Sequence, residues 1–301
     1  MEAPIPKSAL RTPHSAIDQS LLTSAATSRN DWLLWQLADS AFPIGSFAHS
    51  AGLEAAWQHG EVRNRAELLS FIEASLHQLG HSALPFVTAA YALPEHLEEF
   101  DQLCDVFTTN HVANRASRLQ GKASFAAVER IFAVADRRAS EASTCSTQES
   151  WGAHAPSRVA VGAPPTALAS ARNVGQASSL SGDALTSSPQ SLNWAGWKPA
   201  LRFAHYAPVF GAVTSKLGIE RETGTRLFFF CHLRAWLAAA VRLNIVGPMD
   251  AQTIQLGLAP RAEEIRAQCD PLTLDDLAQT SPLLDLWQGT HDRLYSRLFQ
   301  S

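Results

Sequence analysis

Residues 220–243, ERETGTRLFFFCHLRAWLAAAVRL, are hydrophobic nearly all round when wound at helical pitch. A helix of that kind is buried, so this stretch is predicted to form the centre of the fold. Gly247-Pro248 follows it, and a Gly past one helix end with a Pro at the next start predicts a stop and a restart there. Working outward, Asn64 followed by Glu67 has capping-box spacing. Leu68, Leu69, Phe71, Ile72, Leu76 and Leu79 then recur at helical intervals. Pro94 suits a first turn, with Leu97, Phe100, Leu103, Cys104 and Phe107 following on one face. Residues 112–137 continue the pattern through Leu119, Val128, Ile131 and Phe132. A last helix is expected from about Ser281 to Phe299, with Leu283, Leu286, Trp287, Leu294 and Leu298 inward. No run of alternating residues occurs. The chain is read as all-α, a single helical-bundle-like domain of about ten helices.

Two segments lack the apolar surface to join that core. Residues 1–29 carry no aromatic residue. Residues 139–193 are rich in Ala, Ser, Gly, Pro and Thr, with Trp151 their only aromatic and no Ile, Met or Phe. Such compositions bury too little to offset the entropy of ordering. The expectation is a disordered N-terminal tail (1–29) and a helical domain over 30–301, interrupted by a long disordered low-complexity insertion (139–198). Residues 31–138 and 199–301 suffice for one core burying about 70% of its unfolded surface.

Composition narrows the function classes. Charged residues make up 17% of the chain and hydrophobic ones 46%, with 24 Lys+Arg against 28 Asp+Glu and a net charge of −4. No basic block neutralises a phosphate backbone, so no nucleic-acid partner is expected. No stretch approaches the ~18 apolar residues of a membrane span, and the N-terminus lacks the apolar core of a signal peptide. Cys104, Cys145, Cys231 and Cys269 are scattered without a CxxC pair, which reads as reduced thiols in a cytoplasmic protein. The low charge density leaves neutral surface suited to binding other proteins, although the Ala/Ser-rich stretches account for much of the deficit.

Catalytic signatures are largely missing. Gly121-Lys122 has Ala116 where a phosphate loop needs its leading glycine and Ala123 where it needs Ser or Thr, and there is no GxGxxG. No GxSxG or cysteine-nucleophile context occurs. Among the 11 histidines, His77 and His81 share a helix face at i, i+4, a weak metal-ligand candidate without the glutamate of HExxH. Gly80 suggests a fraying helix end there, where a histidine simply meets terminal carbonyls. Cys231 and His232, adjacent on a helix, point about 100° apart and suit a buried thiol beside a polar-face histidine. His59 before Gly60 reads as a cation near a helix C-terminus. Glu98-Glu99 and Glu263-Glu264 read as solvated surface.

What stands out is Ala38–Glu54, ADSAFPIGSFAHSAGLE. Phe42-Pro43-Ile44-Gly45 reads as a turn between helices, with Ser46 capping a helix that carries Phe47, Leu53 and Trp57. This corner is either a packing element or a rigid loop presenting a surface to a partner, and both roles are compatible.

These residues resemble the N-terminal signature of the UreF family of urease accessory proteins, with Pro43, Gly45, Phe47, Ser50, Gly52, Leu53 and Glu54 in the matching positions. Three further blocks agree in order. NRASRLQGKA matches through Arg115, Ser117, Arg118 and, with altered spacing, Gly121. The middle block matches through Pro208, Phe210, Gly211, Leu217, Gly218, Ala240, Arg242, Leu243, Gly247, Ala251 and Gln252. SPLLDLWQGTHDRLYSRLFQS matches through His291, Leu294, Arg297, Leu298, Phe299 and Ser301. Ala48 and His49 depart from the common pattern, and the insertion is longer than usual. Doubling a loop costs only about 0.6 kcal/mol, so the fold is expected to tolerate it.

The resemblance implies a helical, dimeric, non-enzymatic protein required for nickel insertion into apo-urease, with no cofactor of its own and nickel handled by the complex. It implies binding to UreD (also called UreH), partly through the C-terminal segment, and recruitment of the GTPase UreG. The candidate partner-binding residues are Pro43, Gly45, Phe47, His49, Ser50, Glu54, Arg115, Arg242, Gln252, His291, Tyr295, Arg297 and Phe299. Tyr295, Arg297 and Phe299 are expected to anchor UreD, since aromatic and Arg residues often dominate interfaces. Arg242 and Gln252 serve equally well as internal polar ties. The competing reading is a helical metal-dependent enzyme using a histidine cluster, which needs three converging ligands where only His77 and His81 offer a pair. A helical DNA-binding regulator built on the turn at Pro43 is disfavoured by charge, since Phe47–His59 holds neither Lys nor Arg.

Overall fold

The computed structural model describes residues 31–42, 46–145 and 201–301. The expectations for residues 1–29, for Pro43 and Gly45, and for residues 146–198 of the 139–198 insertion lie outside the described residues, while residues 139–145 continue a helix. The helices are α1 (31–38), α2 (Leu53–Gln58), α3 (Arg65–Ser82), α4 (Leu84–Ala92), α5 (Leu97–Phe107), α6 (His111–Cys145), α7 (Tyr206–Lys216), α8 (Arg221–Arg242), α9 (Pro248–Cys269) and α10 (Pro282–Thr290). Short 3-10 turns occupy Ser46–Ala48, Pro94–His96, Leu274–Asp276 and His291–Arg293. There is no strand among the described residues, so the protein is all-α.

Capping accounts for where the helices begin. Asn64 Oδ1 accepts the Ala66 and Glu67 amides at the start of α3. Glu67 reaches back to the amide of Arg63 at 2.6 Å, one residue beyond the partner a capping box would use. Asn110 Oδ1 caps α6 by accepting from Val112 and Ala113.

Helix α8 packs against α2, α3, α4, α7 and α9, which bears out its central place. Its inner side carries Phe228, Cys231, Leu237 and Ala240, and Phe228 stacks on Tyr206 at 5.8 Å. The helix is not buried all round, however: Phe230 and Arg226 face outward. Its end also differs from expectation. Asn244 takes the left-handed conformation (φ 57°), and the Asn244 and Ile245 amides donate to Val241 and Ala240 carbonyls. That is a Schellman motif closed by Asn, which leaves Gly247 free to serve as the N-cap of α9.

Two glycines mark backbone crossings. A Cβ on Gly211 (α7) would sit 2.1 Å from the Val87 carbonyl oxygen of α4. A Cβ on Gly121 (α6) would sit 1.9 Å from the Ala204 oxygen, in the turn leading into α7. Ala204 itself is held at φ 61°, an uncommon conformation for alanine. Buried Asp101 fixes that turn by accepting the Phe203, Ala204 and His205 amides at 2.9, 3.0 and 2.7 Å.

Three further expectations are corrected. Leu103 and Leu119, placed inward by periodicity, are exposed. The first block is not one helix from Ser46: a 3-10 turn ends at Ala48, and α2 starts at Leu53 after Ala51 (φ 49°) and Gly52 (φ 91°). The last helix ends at Thr290, and residues beyond Arg293 run as an irregular segment across α2. Leu283 and Leu286 lie on the outer face of α10 and are exposed, as is Leu298 beyond it, while Leu284, Phe299 and Ser301 are buried.

Candidate partner-binding site

The first and last sequence blocks meet in one buried knot. Glu54 lies in the first turn of α2, where a carboxylate complements the helix N-terminus, yet its side chain points inward and is 1% exposed. Its oxygens accept the Leu298 amide at 2.6 Å, the Phe299 amide at 3.2 Å and His291 Nε2 at 3.0 Å. Charge-assisted bonds of this kind are the strong ones, and here they hold residues 291–299 against α2. His291 is fully buried, and its other ring nitrogen, Nδ1, has no hydrogen-bond partner.

The 3-10 turn supplies a second set of ties. The Ser50 amide donates to the Ser301 carbonyl at 2.6 Å, and the Gln300 amide to the Ala48 carbonyl at 2.7 Å. His49 Nδ1 is hydrogen-bonded to Ser301 Oγ at 2.5 Å. Burial, with Arg115 and His291 nearby, pushes the His49 ring down to about 4, so it is neutral at pH 7.

Two arginines close the knot from outside. Arg242, at the end of α8, donates to the carbonyls of Phe47 (2.7 Å) and Leu298 (3.2 Å) and lies over the Phe299 ring at 4.2 Å. Arg242 is thus a polar tie between blocks. Arg115 of α6 makes a bidentate pair with Asp292 (2.9 and 2.7 Å), which His111 and Arg297 also approach at 3.3 Å. Hydrogen bonding from Arg115 holds the Asp292 carboxyl down at about 2. Gln58 Nε2 donates to the Ser296 carbonyl, and His59 Nε2 bonds Thr290 Oγ1 at 3.0 Å, so His59 is a tie between helices where a dipole cation was expected.

The structure therefore divides the sequence-derived candidates. His49, Ser50, Glu54, Arg242, His291 and Phe299 converge on the knot and act within the molecule, with Arg115 at its edge. Phe47, Tyr295 and Arg297 are exposed around it, as is Leu298. Gln252 is elsewhere: it lies exposed on a groove between α8 and α9 with Phe230 and Leu256. Sequence reasoning missed Asp292 and Gln58, whose partners are remote in the chain and leave no local signal.

The remaining chemical candidates are placed apart. His81 Nδ1 donates to its own helix at the His77 carbonyl, while His77 Nε2 faces Arg261 at 3.3 Å. Helix α3 does not fray at Gly80, where a Cβ would sit 2.6 Å from Cys269 Sγ on α9. Among the described residues no group of three His, Cys, Asp or Glu side chains is placed to hold a metal ion. Cys231 and His232 both border a core cavity of about 230 Å³, together with Cys104, Ser117 and Tyr206. Burial pushes Cys104 up to about 12 and Cys231 up to about 11, which keeps both thiols protonated and poor as nucleophiles. Ser117, His205 and Asp105 form a hydrogen-bonded row (3.1 and 3.1 Å), but the His205 ring is completely buried and Ser117 Oγ already accepts the Tyr206 amide. The row braces the start of α7. Glu98 and Glu99 are solvated as expected, whereas Glu263 pairs with Arg266 and Arg226.

Comparison with known proteins gives the chain's relatives. A family model described as UreF matches residues 62–259. A protein from Arabidopsis thaliana called urease accessory protein F is 32% identical over 285 residues, covering 94% of this chain and 98% of the relative. A rice relative (Oryza sativa subsp. indica) with the same name is 32% identical over 270 residues, covering 89% of this chain and 84% of its own length. A Schizosaccharomyces pombe protein described as an uncharacterized UreF-like urease accessory protein is 26% identical over 279 residues.

Proposed function

This chain belongs to the UreF family of urease accessory proteins, and from that premise we propose that it is the scaffold on which a nickel-insertion complex assembles. Its place in urease maturation and its non-catalytic character follow from the family. The finer reading is that it binds UreD (UreH), recruits the GTPase UreG and docks with them on apo-urease, with nickel as cargo of the complex. The observation that carries it is the knot. Bonds from buried Glu54 and from Arg242 at the rim fix a backbone from which Phe47, Tyr295, Arg297 and Leu298 project into solvent. Aromatic and arginine side chains on a braced backbone are suited to act as interface anchors.

The UreD contact is assigned to that patch. A homodimer is supported by the apolar side chains exposed away from it, Trp32 and Trp35 on α1 and Phe230 and Leu256 along the α8–α9 groove. Among the described residues no helix is long and apolar enough to cross a membrane. Action in the cytoplasm alongside the other accessory proteins is part of the same proposal. The test is co-expression of urease with UreD and UreG, with and without this chain. Nickel-poor, inactive urease in its absence is expected; equal nickel content and activity would defeat the reading.

A further inference from the structure

We propose that residues 291–301 form an acid-released strap, docked while the His49 ring is neutral and freed when that ring takes up a second proton. His49 lies between the 3-10 turn and α2, is 6% exposed, and is covered by Ser301, to which its Nδ1 is bonded at 2.5 Å. A second proton would place a positive charge in that enclosed position. The charged and titratable groups around it come from every element packed on the strap. Cations are Arg115 and His111 from α6, Arg242 from α8, and Arg297 within the strap.

The carboxylates nearby are already engaged. Glu54 receives His291 and two strap amides, and Asp292 receives Arg115, His111 and Arg297. Asp285 of α10 borders the same core cavity as His49. His49 makes no ion pair among the described residues, and His291, its titratable neighbour, is itself buried, with Nδ1 making no hydrogen bond and lying 4.0 Å from Asp292. A charged His49 therefore meets desolvation and the like charge of Arg115 and His291, with no carboxylate paired to it among the described residues.

The sign follows from that environment. A free histidine titrates near 6.5, and the docked ring is held at about 4. The docked strap is thus fully stable above pH 6.5 and loses stability as the pH falls towards 4. Release would withdraw Tyr295 and Arg297 from the surface they share with Phe47, making partner docking acid-sensitive. That consequence rests on the scaffold reading; the release itself does not.

Hydrogen exchange of the isolated full chain tests it, read on peptides covering residues 294–301 at pH 7 and pH 5 and corrected for intrinsic rates. Protection should fall about 20-fold between the two, the change expected for a ring moving between pKa 6.5 and about 4. His49→Gln, which keeps a neutral hydrogen-bonding group beside Ser301, should change less than about 3-fold. Unchanged wild-type protection at pH 5, an equal loss in His49→Gln, or loss of helicity in step with strap exchange would each overturn the proposal. If His49→Gln docks poorly at pH 7, an NMR titration of the wild-type His49 ring decides: a midpoint near 6.5 overturns the strap, and one near 4 supports it. The experiment uses this chain alone, so its failure leaves the co-expression result untouched.

Discussion

Glu54 and His291 stand 237 residues apart in sequence and 3.0 Å apart in space, both buried. The pair ties the two sequence blocks that neither helical periodicity nor any local motif would have placed together.

Glu54→Ala should be among the most damaging single changes outside the aromatic core. It strands His291 and the Leu298 and Phe299 amides without an acceptor, a loss of roughly 3–5 kcal/mol. Thermal unfolding should fall by about 10 °C or more, and Glu54→Gln, which keeps one acceptor oxygen, by less.

Glycine substitutions should separate close approach from backbone conformation. Gly211→Ala pushes a methyl into the Val87 carbonyl and should cost about 3 kcal/mol or more in urea unfolding. Gly218→Ala meets nothing within 4 Å, so only its φ of +69° opposes the change, at about 1–2 kcal/mol. Equal costs at the two positions would show that the α4–α7 crossing is looser than described.

Surface variants should uncouple assembly from folding. Tyr295 is fully exposed, so Tyr295→Ala is expected to leave unfolding within about 0.5 kcal/mol of wild type. Co-purification with UreD should nevertheless drop about tenfold or more, the behaviour of an interface anchor. Retained co-purification would move the UreD contact off this patch.

Acid should also weaken the α8–α9 contact. Hydrogen bonding from Arg266, and then from Arg226, holds Glu263 down at about 2, and Asp292 is held equally low by Arg115. Depressed carboxyls stabilise the fold above their free values and lose that contribution as the pH falls towards 2. Glu263→Gln and Asp292→Asn should each flatten the melting-temperature profile between pH 5 and pH 2.5, measured by circular dichroism.

Helix identities were legible because burial imposes the 3.6-residue period directly on Leu68, Ile72, Phe228 and their neighbours. The Asn64 cap was legible for the same local reason. The C-terminal segment was misread because Leu283, Leu286 and Leu298 imitate an apolar helical face, whereas the burial there belongs to Leu284 and Phe299. Glu54 and Arg242 could be named as important by resemblance. Arg242 was also legible as an internal tie, but the partners of both residues were hidden because they are mainly main-chain atoms of the 47–50 turn and the 298–299 segment. Asp101 escaped notice for the same reason, since backbone amides at 203–205 carry no side-chain signature.

Ser301 has no exposed surface. Anything fused after it, an affinity tag included, must leave from beneath the Ala48–Ser50 turn, and would pry apart the hydrogen bonds to Ser50 and His49. A label carried on an exposed side chain such as Met249 meets no such obstacle. A pull-down that fails with the first arrangement and succeeds with the second would be reporting on where the label was attached, not on whether the partners bind.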